Sequence, residues 1–459
     1  MNTIQSINPA TQEVVGETSV TSSEELAMIV STSKKAFQSW KNVSMDKRAS
    51  YARKLTNLLS QKKDEIALLT TREMGKPLHE AREDIEFEVE FIKWYADNVQ
   101  KALGETIVKE DATAIYKTVY EPWGVCASIA PWNFPITMAS TGITAQLLAG
   151  NTVIFKPSEN STLSQKLFVD LFNQTGLPEG VLQCVIGAGD VGAALIDSDI
   201  DLIWFTGSTA VGQQIYKKCA EKFIKPLLEL GGSSPAIVFA DCDVEKTVAT
   251  IKSARYFNSG QVCSSVKRLY VEKSLFDQFV AALAKTIQNP RIGNPEGDVE
   301  FGPLVTKKQL ELLVSQVDDA VQKGAHIVVG GMKPTDLTML NGNYFLPTIL
   351  TNIAPDMRVL TEEVFGPVLP IIPFETEQEA VEFANKTPYG LTAEIFTRDL
   401  SKANRVASQI QAGGISVNMD ISYNPDSPIG GYKKSGLGRE YGIEGFRELA
   451  QLKYICVAK

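Results

Sequence analysis

Histidine is nearly absent from this chain: 459 residues carry only His79 and His326. The two are far apart, with no metal-ligand spacing around either, so a zinc site and a Ser-His-Asp triad are both disfavoured. The six cysteines, at 126, 184, 219, 242, 263 and 456, form no CxxC pair and no secreted-type ladder. That excludes a disulfide framework and points to a reducing compartment. Runs of about 18 apolar residues are missing, and Met1 to Ala10 has no basic stretch leading into an apolar core. No membrane partner and a cytoplasmic location are therefore expected. Positive charge is not in excess either, since 45 Lys and Arg face 54 Asp and Glu for a net charge of -9. A nucleic-acid surface needs clustered cations to displace counterions, so small-molecule partners are favoured. There is no internal repeat, low-complexity tract or long polar linker.

The length suggests two or three domains, and 44% hydrophobic with 22% charged residues is ordinary for a globular protein with buried cores. Ala49 to Leu69 and Lys76 to Val99 carry apolar residues at helical spacings. From 114 to 121 the chain is β-branched and aromatic, and Pro122 breaks the run, which reads as an exposed strand or hairpin. Strands at 152–155, 182–186, 202–205 and 236–239 alternate with helices at 162–174, 190–197 and 209–222, the pattern of a parallel α/β sheet. A second α/β series follows, with strands near 268–272, 326–329, 367–373, 391–396 and 415–418. Two α/β domains joined near residue 231 are the simplest account. Leu452 to Val457 reads as a terminal strand whose edge invites another subunit.

The chemistry centres on Asn258-Ser259-Gly260-Gln261-Val262-Cys263, a cysteine presented after a glycine turn. A nucleophilic cysteine usually borrows a histidine, and here none is at hand. The candidate substitute is Glu229, a lone carboxylate among apolar neighbours in Leu228-Glu229-Leu230-Gly231-Gly232. The other five cysteines lie in apolar runs, on helix faces or at a helix start, and read as small hydrophobes.

Gly187-Ala188-Gly189-Asp190-Val191-Gly192 is a literal GxGxxG between a strand and a helix, but the acidic residue that should follow about 20 positions on is missing. Its glycines serve a tight turn at least as readily as a phosphate. Gly207 and Ser208 open a helix whose N-terminus suits an anion, although Ser208 can equally be only the cap. Pro131 and Pro135 fix the backbone around Trp132 and Asn133, holding an amide in one direction as an oxyanion donor requires. Lys156, Ser158 and Glu159 follow a strand's carboxyl end, where α/β sheets bind ligands; a solvated loop is the plain alternative.

Together these segments resemble the aldehyde dehydrogenase superfamily from about residue 7 to the C-terminus. The resemblance rests on Pro131 to Pro135, Phe155 to Glu159, Phe205 to Ser208, Leu228 to Gly232, Gly260 to Cys263, Glu362 to Pro367 and Gly430 to Gly436, in the family's order. It implies two Rossmann-like parallel-sheet domains, a cofactor domain over 1–112 and 129–230 and a catalytic domain over 231–425. A small β oligomerisation element over 113–128 and 440–459 would make a homodimer or homotetramer. It further implies Cys263 as nucleophile, Asn133 as oxyanion donor and Glu229 as general base. Trp132, Lys156, Ser158, Glu159, Gly207, Ser208, Glu363 and Phe365 would bind NAD, with NADP as the other form of the cofactor; no metal is implied.

The implied reaction is oxidation of an aldehyde to a carboxylate through a thiohemiacetal and a thioester. Relatives that pass the acyl group to coenzyme A lack the glutamate, so Glu229 implies hydrolysis. A carboxylate at 159 would repel a 2′-phosphate, which favours NAD. The texture of Arg72 to Pro77 and Gly430 to Glu440 looks most like the succinate-semialdehyde and lactaldehyde branch, making succinate semialdehyde the expected substrate and lactaldehyde or another small aldehyde the alternative. Phe257 stands where semialdehyde enzymes of that branch often place an arginine, and Asp426 adds negative charge to the substrate-mouth loop. Lys267 and Arg268 are close in sequence, with directions that cannot be read there. A cysteine hydrolase or transferase, or a non-catalytic NAD-binding protein, are the readings from other classes.

Overall fold

A computed structural model describes residues 2–336, 339 and 341–459. Its centre is two mostly parallel sheets. The first has six strands, in the spatial order Gly436–Leu437, Lys225–Glu229, Leu202–Thr206, Val125–Ile129, Thr152–Lys156 and Leu182–Cys184. The second has seven, in the order His326–Val329, Thr348–Thr351, Val368–Phe374, Val266–Glu272, Ser234–Val238, Thr392–Phe396 and Gly414–Val417. Central strands such as Val125–Ile129, Thr152–Lys156 and Ser234–Val238 are buried along their whole length, as expected when helices cover both faces. The sequence expectation of an α/β fold with parallel sheets holds.

Helix Leu78–Leu103 buries Ala81, Ile85, Val89, Ile92, Ala96, Val99 and Leu103, one stripe at three- and four-residue spacing. That stripe packs against helices Met45–Gln61 and Pro135–Ala149. The latter is buried at all but one of its positions, its polar Thr137, Ser140, Thr141, Thr144 and Gln146 included, so it has no solvent face and amphipathic periodicity could not reveal it. The hairpin Thr3–Ile7 with Val14–Ser19 and the strand Thr348–Thr351 were likewise not anticipated.

Three strands stand apart as a small antiparallel sheet: Ala450–Ala458, Ala114–Pro122 and Thr106–Glu110. Val125–Ile129 pairs with Thr152–Lys156 and Leu202–Thr206, so its residues lie in the six-stranded sheet and not with the neighbouring hairpin. Cys456 corrects the reading of the unassigned cysteines as buried hydrophobes, because it is exposed on the outer strand of the small sheet. Among the described residues no helix is long and apolar enough to cross a membrane.

Candidate functional site

The turn that precedes Cys263 is a strained piece of backbone. Helix Val244–Tyr256 starts at Asp243, whose side chain accepts from the Lys246 N–H, and ends in a turn where Asn258, Ser259 and Gly260 have φ of 50°, 52° and 73°. Three successive left-handed residues are costly for an L-chain. At Gly260 a side chain is also excluded by space, since a Cβ would stand 2.5 Å from the Gly366 oxygen. Hydrogen bonds hold the turn: Asn258 Nδ2 donates to Asn133 O at 3.0 Å, Ser259 Oγ to Gly302 O at 2.9 Å, and the Val305 N–H to Gln261 Oε1 at 3.0 Å.

Asn133 meets this turn directly. Its Nδ2 donates to the Gln261 carbonyl at 3.0 Å, so the amide is aimed at the segment carrying Cys263. Pro135 starts the next helix and supports that aim from behind. Cys263 is half-buried, and burial pushes its thiol up to about 11, with Lys267 opposing and Glu363 and Glu229 adding to the rise. Glu229 ends strand Lys225–Glu229, is 7% exposed and has no partner for Oε1. Burial, reinforced by the charge of Glu440, raises its carboxyl well above the usual range.

Beside this lies a cleft of about 510 Å³ lined by Trp132, Lys156, Ser158, Glu159, Gly207 and Ser208 among others. Lys156 is 4% exposed and its Nζ donates to Pro157 O, which overturns the solvated-loop alternative for that residue; Glu159 is exposed at the rim. Gly189 and Gly192 line the same cleft, and a Cβ at Gly192 would sit 3.5 Å from the Lys156 stem. Gly187 serves the turn instead, because a Cβ there would meet Val191 at 2.1 Å. Ser208 does cap helix Thr209–Lys222, accepting from the Val211 N–H, and the Gly207 N–H is already spent on Glu229 O at 3.0 Å. Glu363 and Phe365 stand between cleft and cysteine. Glu363 Oε1 accepts from the Gly232 N–H at 3.0 Å and from Lys267 Nζ at 2.7 Å, and Phe365 sets its ring edge-on to Trp132 at 5.6 Å.

Several side-chain contacts here escaped the sequence reading. Lys267 turns inward, fully buried, and Arg268 is spent on the carbonyls of Ser233, Phe383 and Ala384, so neither faces a substrate. Glu440, beside Glu229, is pushed up to about 8 by burial. Phe257 stacks on Phe134 at 6.1 Å, and the buried Lys76 lies 3.7 Å from the Phe134 ring while pairing with Asp84. Phe257, Lys267 and Arg268 are visible in the sequence as residues without a direction, and Lys76 and Glu440 lie inside quoted motifs; what each side chain touches depends on long-range packing.

The model of the aldehyde dehydrogenase family matches residues 1–455. The glutarate-semialdehyde dehydrogenase of Pseudomonas putida is 36% identical over 459 residues, covering 99% of this chain and 94% of that protein. The succinate-semialdehyde dehydrogenase [NADP(+)] of Escherichia coli is 35% identical over 453 residues, 98% of this chain and 93% of its own. A crystal structure of betaine aldehyde dehydrogenase from Staphylococcus aureus in complex with NAD+ superposes with a TM-score of 0.96 at 35% identity, covering 99% of this chain and 91% of that one.

Proposed function

The chain belongs to the aldehyde dehydrogenase family, and from that premise we propose that it oxidises a small aldehyde to its carboxylate with NAD(P), using Cys263 as nucleophile, Asn133 as oxyanion donor and Glu229 as general base. The observation that carries this reading is the Asn133 hydrogen bond to Gln261, which aims an amide donor at the nucleophile turn.

The Cys263 thiolate adds to the aldehyde carbon, forming a C–S bond and an oxyanion. The Asn133 amide, together with a main-chain N–H, stabilises that charge; one such donor contributes roughly 3 to 4 kcal/mol. A bound nicotinamide would supply the hydride acceptor that collapse of this tetrahedral carbon requires. Cys263 is left as a thioester. Glu229 takes a proton from the water that attacks it, the C–S bond breaks, and the acid departs while the thiol is restored. Burial, with the charge of Glu440, raises the Glu229 carboxyl well above the usual carboxylate range, which strengthens it as a proton acceptor.

The cleft fits the dinucleotide. Lys156, Ser158 and Glu159 would hold the adenosine ribose, Gly207 and Ser208 the pyrophosphate, and Trp132, Glu363 and Phe365 the nicotinamide end; the first five and Trp132 line the cleft, and Phe365 packs edge-on against Trp132. The carboxylate of Glu159, which would repel a 2′-phosphate, supports NAD over NADP. The exposed strand Ala450–Ala458, with Leu452 and Tyr454 open to solvent, supports assembly as a homodimer or homotetramer.

Succinate semialdehyde is the first substrate to test, supported by the succinate-semialdehyde dehydrogenases among the relatives. A second reading, lactaldehyde or another small uncharged aldehyde, is favoured by the Phe134 and Phe257 stack and by the internal engagement of Lys267 and Arg268. NAD reduction across succinate semialdehyde, glutarate semialdehyde, lactaldehyde, betaine aldehyde and simple aliphatic aldehydes tests both. A kcat/KM for succinate semialdehyde well below that for lactaldehyde rejects the first; no reduction with any aldehyde rejects the function.

A further inference from the structure

A nucleophilic cysteine without histidine needs another source of positive charge, and the buried side chain nearest its backbone is a lysine. Lys267 is 0% exposed and sits on strand Val266–Glu272 immediately after the nucleophile turn. Its Nζ reaches three oxygens: Cys263 O at 2.6 Å, Glu363 Oε1 at 2.7 Å and Gly232 O at 3.0 Å. An ammonium has three N–H donors, whereas a neutral amine has two and would turn its lone pair on the third oxygen. The acceptor set therefore demands the charged form, although burial alone pulls the lysine down. The Phe365 ring, 5.4 Å away, adds a favourable face.

The three oxygens belong to three separate segments: the nucleophile turn, the junction after strand Lys225–Glu229, and the loop that carries Glu363 and Phe365. With Oε1 held by Lys267 and the Gly232 N–H, Glu363 is oriented so that Oε2 lies over Gly231, where a Cβ would approach it to 2.3 Å. We propose that Lys267 is a positioning residue that takes histidine's electrostatic place: it fixes the backbone of Cys263, keeps a cation beside the thiol, and binds the same charge to Glu363, so that the nucleophile and the cofactor-side carboxylate are held as one unit. This rests on the reading of Cys263 as nucleophile. The charged and titratable groups around the thiol are Lys267, Glu363, Glu229 and Tyr423, and Arg255 adds its charge to the surroundings of the lysine. Lys267 is the cation among the groups acting on the thiol itself.

The test is the pH dependence of Cys263 alkylation by iodoacetamide in the intact, ligand-free chain, followed on the Cys263 peptide by mass spectrometry. Lys267→Gln retains two donors and removes the charge; Lys267→Met removes both. A neighbouring charge of this kind typically moves a pKa by one or more, so the alkylation midpoint rises by about one pH unit in both variants, with alkylation at pH 8 slowed about tenfold. Glu363→Gln moves the midpoint the other way. A site that had merely loosened would admit water and lower the midpoint in the lysine variants, so an unchanged or lowered midpoint overturns the proposal. Should neither lysine variant fold, Glu363→Gln decides alone: a midpoint that fails to fall overturns it. Aldehyde oxidation by Cys263→Ser, measured separately, tests the nucleophile reading without touching this result.

Discussion

The main-chain N–H of Asn258 donates to the carboxylate of Glu80 across 3.0 Å, from the turn that precedes Cys263 to the first turn of helix Leu78–Leu103. The bond ties the most strained backbone of the site to a residue 178 positions away in sequence. Removing the acceptor leaves a buried N–H unpaired, a cost of about 1 to 3 kcal/mol. Glu80→Ala therefore lowers Tm by several degrees and reduces kcat more than it changes KM. Glu80→Gln, which keeps an acceptor oxygen, recovers much of both. Thermal melts and steady-state kinetics on the two variants check this, and equal losses in both contradict it.

Stability should fall as pH rises. Burial pushes Glu80, Glu88 and Glu440 up to about 8, far above an unfolded glutamate near 4.5. Between those values the unfolded chain holds fewer protons than the folded one, so each group's contribution is complete below about 4.5 and is lost as pH climbs through about 8. Tm measured from pH 5 to 9 declines most steeply between about pH 5.5 and 7, where the proton difference is largest, and levels off above about 8. In Glu88→Gln, which cannot ionise, the decline is shallower.

How much of this was legible in sequence depends on whether the signal was local. The alternation from 150 to 240 marks its strands and helices because each crossover repeats in one stretch of chain. Pro135–Ala149 left no trace, since a helix buried on every side, polar residues included, has no amphipathic period to detect. Asn133, Glu229 and Cys263 were visible as residue types in motifs. The bonds from Asn133 to Gln261, Lys267 to Glu363 and Glu80 to Asn258 join segments 128, 96 and 178 residues apart, and no local pattern reports them. Lys156 shows the converse: a loop-like sequence gave no hint that its side chain would be buried against Gly192.

On the proposed reading, the rim carboxylate of Glu159 sets cofactor choice. A 2′-phosphate placed beside it meets like charge, a repulsion that costs several kcal/mol when desolvated and less at an exposed rim. NAD is therefore the better cofactor, and Glu159→Gln raises the NADP to NAD ratio of kcat/KM by about tenfold, in proportion to roughly 1.4 kcal/mol of relieved repulsion. Initial rates with both cofactors measure it. A parent enzyme that prefers NADP contradicts the assignment of Glu159.

The division of labour between Cys263 and Glu229 is the account's central claim, and rapid-mixing kinetics of Glu229→Gln test it most directly. With the nucleophile intact and the base removed, the thioester forms and then waits for water. The predicted result is a burst of about one NADH per subunit followed by a steady rate slowed by at least about a hundredfold, in line with the contribution of a general base. Full steady-state turnover in Glu229→Gln, or loss of the burst itself, would contradict it.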